Sequence, residues 1–140
     1  MFRISLIMIA TMAIVGSALA EGYRSSSATG AVAYIISPKD GETVQNPVKV
    51  VFGLSGMGVC PAGLQKNNTG HHHLLIDTGL PSFGDPIAKD ENHRHFGGGQ
   101  TEAVIEFEPG THTLQLLLGD HNHIPHFPPI MSERITIKVF

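Results

Sequence analysis

Eight of the nine histidines in this 140-residue chain fall into three short clusters. The clusters are His71-His72-His73, then His93-Arg94-His95, then the run from His121 through His123 to His126. Neutral imidazole is the commonest metal ligand among protein side chains. Because such clusters are costly to bury and are not needed for folding, they indicate a metal site. Copper and zinc are the ions that imidazole suits, and copper is the first expectation where both are available.

The spacing within each cluster limits which rings can share one ion. Side chains alternate along an extended strand, so His71 and His73 point to one face and His72 to the other. Pro125 stiffens the third cluster, which lowers the entropy cost of holding ligands in place. The favoured ligand pool is His73, His93, His95, His121, His123 and His126, with His71 and His72 as further candidates and three or four ligands used at once.

Other residues are candidates for supporting roles. Asp120 directly precedes the third cluster and, like Glu102, is a candidate to orient a ligating histidine or to act in acid–base chemistry. Met57 and Cys60 are soft ligands that favour Cu(I). The competing interpretations are an exposed polar loop for the histidines and core packing or a solvated rim for the others. His112 lies among leucines and is predicted to be structural, with local hydrogen bonds.

The start of the chain is typical of a secretory signal peptide over residues 1–20, with Arg3, an apolar run and the cleavage motif Ala18-Leu19-Ala20. The apolar run is too short to favour a membrane span, so none is expected after cleavage. The sequence therefore predicts a periplasmic or secreted protein. Residues 21–30 are polar and serine-rich and predict a flexible lead-in. Residues 31–140 predict a single domain.

The fold prediction rests on six short β-rich runs separated by turn signals. These runs are Ala31–Ser37, Val48–Leu54, His72–Asp77, Thr101–Phe107, Thr111–Leu118 and Arg134–Phe140. They predict an all-β fold, an immunoglobulin-like antiparallel β-sandwich of about six or seven strands. In such a sandwich the third and fifth runs pair, and this pairing gathers the three histidine clusters at one pole.

Charge and cysteine content exclude two other classes. The formal net charge is −3 and no basic stripe is present, which argues against nucleic acid as a partner. Cys60 is the single cysteine, so no internal disulfide can form.

Several longer segments resemble the domain of unknown function 4399 family. The segments are Gly70–Asp77, His95–Glu102 and Pro109–Asp120, and residues 57–63 and 120–129 fit it as well. The resemblance covers about Ile35 to Val139. It implies a secreted or periplasmic bacterial domain rich in histidine, and it implies no particular activity.

The leading hypothesis from the sequence is a periplasmic protein that carries or buffers a copper or zinc ion through the histidines at one pole. A second hypothesis is a metal-dependent enzyme of the dismutase or hydrolase type at the same site, which needs an open coordination position and an acid–base group such as Glu102 or Asp120. A third is an envelope-binding module in which the histidines form a pH-sensitive surface. The expected partners are a metal ion and a periplasmic or envelope protein.

Overall fold

The computed structural model describes residues 24–140, and within this range the chain forms strands, turns and loops but no helix. The strands are β1 (Val32–Ser37), β2 (Thr43–Val44), β3 (Val48–Ser55), β4 (Gly58–Val59), β5 (Thr69–Ile76), β6 (His93–His95), β7 (Glu102–Ile105), β8 (Gly110–Gly119) and β9 (Ile135–Val139). Each of the six predicted runs overlaps one strand, with β5 beginning three residues before its predicted run, and β2, β4 and β6 are short additions. The prediction of an all-β fold is confirmed, and its immunoglobulin-like detail stays a prediction.

The strands form two sheets. The smaller sheet has the order β1-β3-β7, and the larger has the path β2-β9-β8-β5-β4 with β6 also paired to β5. The long neighbours pair antiparallel, whereas the short strands β2 and β4 pair parallel with β9 and β5. Packing of the two sheets against each other makes a β-sandwich.

Alternation along β8 explains why the larger sheet is covered on both faces. Leu114, Leu116 and Leu118 are fully buried and pack in the main core with residues of the smaller sheet such as Phe52. Leu117 lies on the opposite face, where it joins a second apolar cluster with Leu75 and Ile87. The connections that follow β5 and β8 therefore cover the outer face of the larger sheet.

Strand register decides which side chains meet on that outer face. In the pairing of β5 with β8, His71 lies opposite Gly119 and His73 opposite Leu117. On the other side of β5, His73 lies opposite His95 of β6. The register therefore brings the first two histidine clusters together beneath the covering loops.

The segment before β1 packs against the loop after β8. Composition predicts a flexible lead-in over residues 21–30, whereas in the structure Ser26 forms an isolated parallel bridge with Phe127. The predicted signal peptide lies outside the described residues. Residues 24–140 contain no helical segment whose length and hydropathy would let it span a bilayer.

The core of β8 gives a stability prediction. Leu116→Ala should lower the free energy of unfolding by about 2–5 kcal/mol, because it removes a fully buried side chain and leaves a cavity. Leu64→Ala is the matched control at a side chain that is 59% exposed, and it should change stability by less than about 0.5 kcal/mol. Urea unfolding measures both. Equal effects of the two substitutions would contradict the described core.

Candidate metal centre

Four imidazole rings meet on the outer face of the larger sheet. They belong to His71 and His73 of β5, His95 of β6 and His123 in the loop after β8, and one ring nitrogen from each lies within 4.8 Å of the others. All six distances between ring centroids fall between 4.7 and 6.0 Å. We call this group the four-histidine cage. Each of the three sequence clusters contributes at least one ring to it.

The position of the rings from β5 follows from strand alternation. His71 and His73 point outward from the sheet, on the same face as Leu75, while His72 points toward the main core. Both outward rings are almost completely buried, with exposed fractions of 0% and 1%. Because β8 and β6 pair with β5 on its two sides, the backbone that carries these rings is held in place.

Two glycines leave the space that two of the rings occupy. A Cβ atom at Gly119 would lie 2.7 Å from Cε1 of His73, and a Cβ atom at Gly97 would overlap the ring of His95. Real Cβ atoms do not approach other heavy atoms so closely. The bare backbone at these two positions is therefore part of the cage wall.

The loop that carries His123 is held by Asp120. Oδ1 of Asp120 accepts hydrogen bonds from the backbone N–H groups of Asn122 at 2.8 Å and Ile124 at 3.0 Å. The Asp120 carbonyl accepts the N–H of His123 at 2.9 Å, and the N–H of Ile87 donates to the His123 carbonyl at 2.8 Å. His123 has a φ of 66°, in the left-handed region that side-chain-bearing residues seldom adopt. These bonds offset that conformational cost and aim the ring at the cage.

Burial keeps three of the cage imidazoles, those of His71, His73 and His95, neutral near pH 7. Desolvation, together with the neighbouring imidazoles, lowers the pKa of His71 to about 4 and that of His73 to about 2. Desolvation and the nearby His123 also lower the pKa of His95. Since metal ions bind the unprotonated ring, these three rings are in the binding form at neutral pH.

Four of the eight cage nitrogens are buried and have no hydrogen-bond partner among the described residues. Nε2 of His71 lies 3.0 Å from Nδ1 of His123, at hydrogen-bond distance. Nδ1 of His71, both ring nitrogens of His73 and Nε2 of His95 are buried without a hydrogen-bond partner among the described residues. A buried polar atom without a partner costs about 1–3 kcal/mol. A metal ion is a partner that would recover this free energy.

Two histidines of the first and second clusters lie outside the cage. His72 is fully buried against the main core, its ring centroid lies 5.3 Å from that of Phe52, and desolvation lowers its pKa to about 4. Nδ1 of His93 lies 2.8 Å from a carboxylate oxygen of Asp90, in the turn that leads into β6.

The other two histidines of the third cluster also make local contacts. Nε2 of His121 lies 3.0 Å from the side-chain nitrogen of Asn122. Nε2 of His126 donates to the Thr69 carbonyl at 3.1 Å, and desolvation lowers the pKa of His126. His123 is thus the one ring of its cluster that the structure brings to the cage.

A polar cavity of about 380 Å³ lies at the pole where the sequence predicts the site. Its lining includes Cys60, Lys66, His71, Asp120, His121 and His126. The cage lies beside this cavity, and His71 belongs to both. The cage lies on the outer face of the larger sheet rather than at the pole, because alternation directs His71 and His73 to that face. The loop that carries His123 then folds over the same face.

The candidate supporting residues fall into two groups. Asp120 contacts the cage loop as described, and hydrogen bonds from Ser25 and from backbone N–H groups lower its pKa although burial alone would raise it. Met57 packs against the main core, and Sγ of Cys60 lies 3.9 Å from the Leu64 carbonyl. Glu102 pairs with Lys49 at 3.0 Å on the exposed side of the smaller sheet. The structure does not bring these three to the cage.

His112 makes the local contacts that the sequence predicts for it. Its Nδ1 lies 2.6 Å from a carboxylate oxygen of Asp77, and its Nε2 donates to the Glu108 carbonyl at 2.7 Å. Burial lowers the pKa of His112, but these two hydrogen bonds outweigh burial and raise it. This ring stabilises the corner between β7 and β8 and has no part in the cage.

Sequence reasoning missed three residues that shape the site. Gly97 and Gly119 make room for rings, and Ser25 donates to Oδ2 of Asp120 at 2.7 Å. Strand pairing provides a signal for Gly119. It lies opposite His71 in β5, and the absence of a Cβ there leaves room for the ring of His73. No local signal marks Ser25, because its partner lies at the other end of the chain.

Acid should destabilise the metal-free protein. The pKa values of His71, His72 and His73 in the folded state lie well below about 6.5, the value for an unfolded chain, so the unfolded state binds protons first as the pH falls. Stability should be lost from about pH 6.5 downward, by up to roughly 1.4 kcal/mol per pH unit for each such histidine. His112 acts in the opposite sense but is a single ring. Urea unfolding in the presence of a chelator at pH 7, 6 and 5 measures this slope.

The variant His72→Leu removes one of these titrating rings and leaves the four cage rings in place, so it tests the contribution of a single histidine to the pH dependence of stability. Between pH 6.5 and pH 5 its free energy of unfolding should fall less steeply than that of the wild type, by up to roughly 1.4 kcal/mol per pH unit, whatever its absolute stability. Equal slopes for the two proteins, or a stability that does not change over this range, would show that the buried rings do not set the pH dependence.

A methyl group at position 119 should open the cage. Gly119→Ala places a Cβ where the His73 ring lies, so the ring must move or the strands must separate. The control is Gly79→Ala, where a Cβ meets nothing within 4 Å. Zinc titration should give weaker binding for the first variant and unchanged binding for the second. Unchanged binding in both would mean that the His73 ring is not a ligand.

Comparisons with known proteins agree with the resemblance seen in the sequence. The model of the family described as domain of unknown function (DUF4399) matches residues 50–140, which is more than half of the chain and includes all four cage histidines. No curated protein and no solved structure matches the chain. The chain belongs to the DUF4399 family.

Proposed function

We propose that this protein binds one divalent transition-metal ion in the four-histidine cage and serves in metal carriage or buffering outside the cytoplasm. The observation that carries the proposal is the convergence of four imidazoles, two of them almost completely buried, with four of their eight ring nitrogens buried and without a protein partner. Such an arrangement costs free energy in the absence of an ion, and a bound ion satisfies it.

The spacing of the rings favours a tetrahedral ion. In a tetrahedral zinc site with Zn–N distances of ~2.1 Å, the ligand nitrogens lie about 3.4 Å apart. Nε2 of His71 and Nδ1 of His123 are 3.0 Å apart, and five of the six centroid distances lie between 4.7 and 5.1 Å. A square-planar site has two long diagonals, whereas here one pair, His73 and His123 at 6.0 Å, is wider than the rest. On this near-equal spacing of the rings we propose zinc, which takes a tetrahedral set, before Cu(II), which prefers a square.

The ligand chemistry points in the same direction. The cage contains imidazole nitrogen alone, while the soft sulfur ligands that select Cu(I) lie elsewhere, with Met57 against the core and Cys60 at the cavity. We therefore put zinc before copper, the reverse of the order that composition suggests. Cu(II) would still compete in solution, because the Irving–Williams order gives it the higher affinity for most nitrogen sites.

The number of ligands favours binding over catalysis. Catalytic zinc sites keep three protein ligands and an open position, whereas sites with four protein ligands are closed. The two carboxylates suggested for acid–base work are committed to other partners, Glu102 to Lys49 and Asp120 to the loop. Export rests on the signal-peptide pattern of the sequence.

Metal titration with paired variants tests the proposal. The protein without its predicted signal peptide should bind about one zinc ion, and His123→Asn should lose more than the roughly 10–100-fold in affinity that an outer partner contributes. Asparagine tolerates the left-handed backbone at position 123, so this variant should fold. His121→Asn and His93→Ala are matched controls that remove imidazoles outside the cage, and both should bind zinc normally.

Two further measurements identify the ligands and the ion. Zinc binding at pH 7 should release less than about one proton per ion, since burial lowers the pKa values of His71, His73 and His95, whereas a site using the Cys60 thiol would release more. The metal content of protein purified after export distinguishes zinc from copper. Failure to bind either ion would refute the proposal and leave the envelope-binding module.

A further inference from the structure

We propose that the segment Arg24–Ser27, at the start of the described chain, is a strap that positions the metal loop, and that docking of this strap and metal binding strengthen each other. We define the metal loop as residues 120–128. This inference rests on the proposed metal function, and it concerns residues that lie outside the cage.

The strap binds the metal loop along its length. The Ser25 carbonyl accepts the N–H of Phe127 at 2.9 Å, and the Ser27 N–H donates to the Phe127 carbonyl at 3.0 Å. The hydroxyl of Ser27 donates to the Pro128 carbonyl at 2.8 Å. These bonds make the strap a short parallel neighbour of the loop's second half.

Arg24 fixes the centre of the loop. Its Nε donates to the Pro125 carbonyl at 3.0 Å, and its Nη2 donates to the His126 carbonyl. Its guanidinium also lies over the rings of Phe127 at 5.2 Å and Phe83 at 5.6 Å. Two carbonyls bound by one planar group hold the turn that follows His123 in a single conformation.

Ser25 reaches the cage through Asp120. Its hydroxyl donates to Oδ2 of Asp120 at 2.7 Å, while Oδ1 of the same carboxylate binds the N–H groups that shape the turn. The Asp120 carbonyl in turn accepts the N–H of His123. The backbone N–H of His123, in its left-handed conformation, is therefore held by a residue that the strap contacts, and the strap also binds the loop on the C-terminal side of His123.

Docking of the strap and binding of the metal ion are coupled because both need the same conformation of the metal loop. An ion holds His123 in the cage and so presents the groups that the strap binds. The strap orders the loop and so lowers the cost of placing His123. By linkage the two effects are equal in size, so whatever the strap adds to metal affinity, the ion adds to strap docking.

Substitutions in the strap test one side of this coupling, in the chain that begins at Glu21. Ser25→Ala should raise the zinc dissociation constant about 10-fold, and Ser25→Thr, which keeps the hydroxyl, should restore wild-type affinity. The visible absorption of bound Co(II) reports whether the site stays tetrahedral, and it should keep its shape in the alanine variant. The stability of the metal-free variants separates loss of metal affinity from general unfolding.

Proteolysis tests the other side. Trypsin cleaves after Arg24 only when the strap leaves the loop, so saturating zinc should slow loss of residues 21–24 by about the factor that the strap contributes to affinity. The variant His73→Ala, which lacks a cage ligand, should show no protection by zinc. Mass spectrometry of the intact chain follows the cleavage.

The outcomes separate the two proposals. If the wild-type chain binds no metal, the proposed function fails and the coupling falls with it. If the wild-type chain binds zinc while Ser25→Ala binds equally well and zinc does not protect Arg24, the metal function stands and the strap is overturned. Weaker binding by Ser25→Ala, rescue by Ser25→Thr and zinc protection together establish the coupling.

Discussion

The cost of burying imidazole nitrogens that have no protein partner is the constraint around which this domain is organised. A folded chain normally pairs nearly all of its buried polar atoms. Here several ring nitrogens of one group are unpaired, and the rings of His71 and His73 remain neutral because burial disfavours the charged form. The low dielectric constant of this site makes the unpaired ring nitrogens unfavourable, and it would also strengthen their interaction with a bound cation.

The rest of the fold supplies what this arrangement needs. The main core between the sheets is formed by isoleucine, leucine, valine and phenylalanine side chains that face away from the cage, so most of its packing does not involve the cage histidines. That core holds β5 and β8 rigidly enough to present two rings on one face. The outer cover, which includes Ile87 and Met131, then excludes water from the sheet beside them. A site assembled on paired strands is more precise than one assembled on loops alone.

Period-two patterning made much of this predictable from the sequence. The six main strands follow from β-branched and leucine-rich runs, and alternation separates His71 and His73 from His72. The choice of His123 over His121 and His126 does not follow from any pattern. It depends on a left-handed backbone conformation and on hydrogen bonds from Asp120, which are tertiary properties. The same reason explains why composition predicts a flexible lead-in where Arg24 and Ser25 are held by partners about a hundred residues away.

The position of the cage also means that a bound ion would cross-link distant parts of this domain. Small exported domains commonly gain stability from disulfides, which restrict the unfolded chain. This chain has one cysteine and cannot form one internally, but an ion in the cage would tie together β5, β6 and the loop after β8, which are far apart in sequence. Such a cross-link is indifferent to thiol reductants and is removed by chelators. The mechanical integrity of the domain would then follow the supply of metal in its surroundings rather than their redox state.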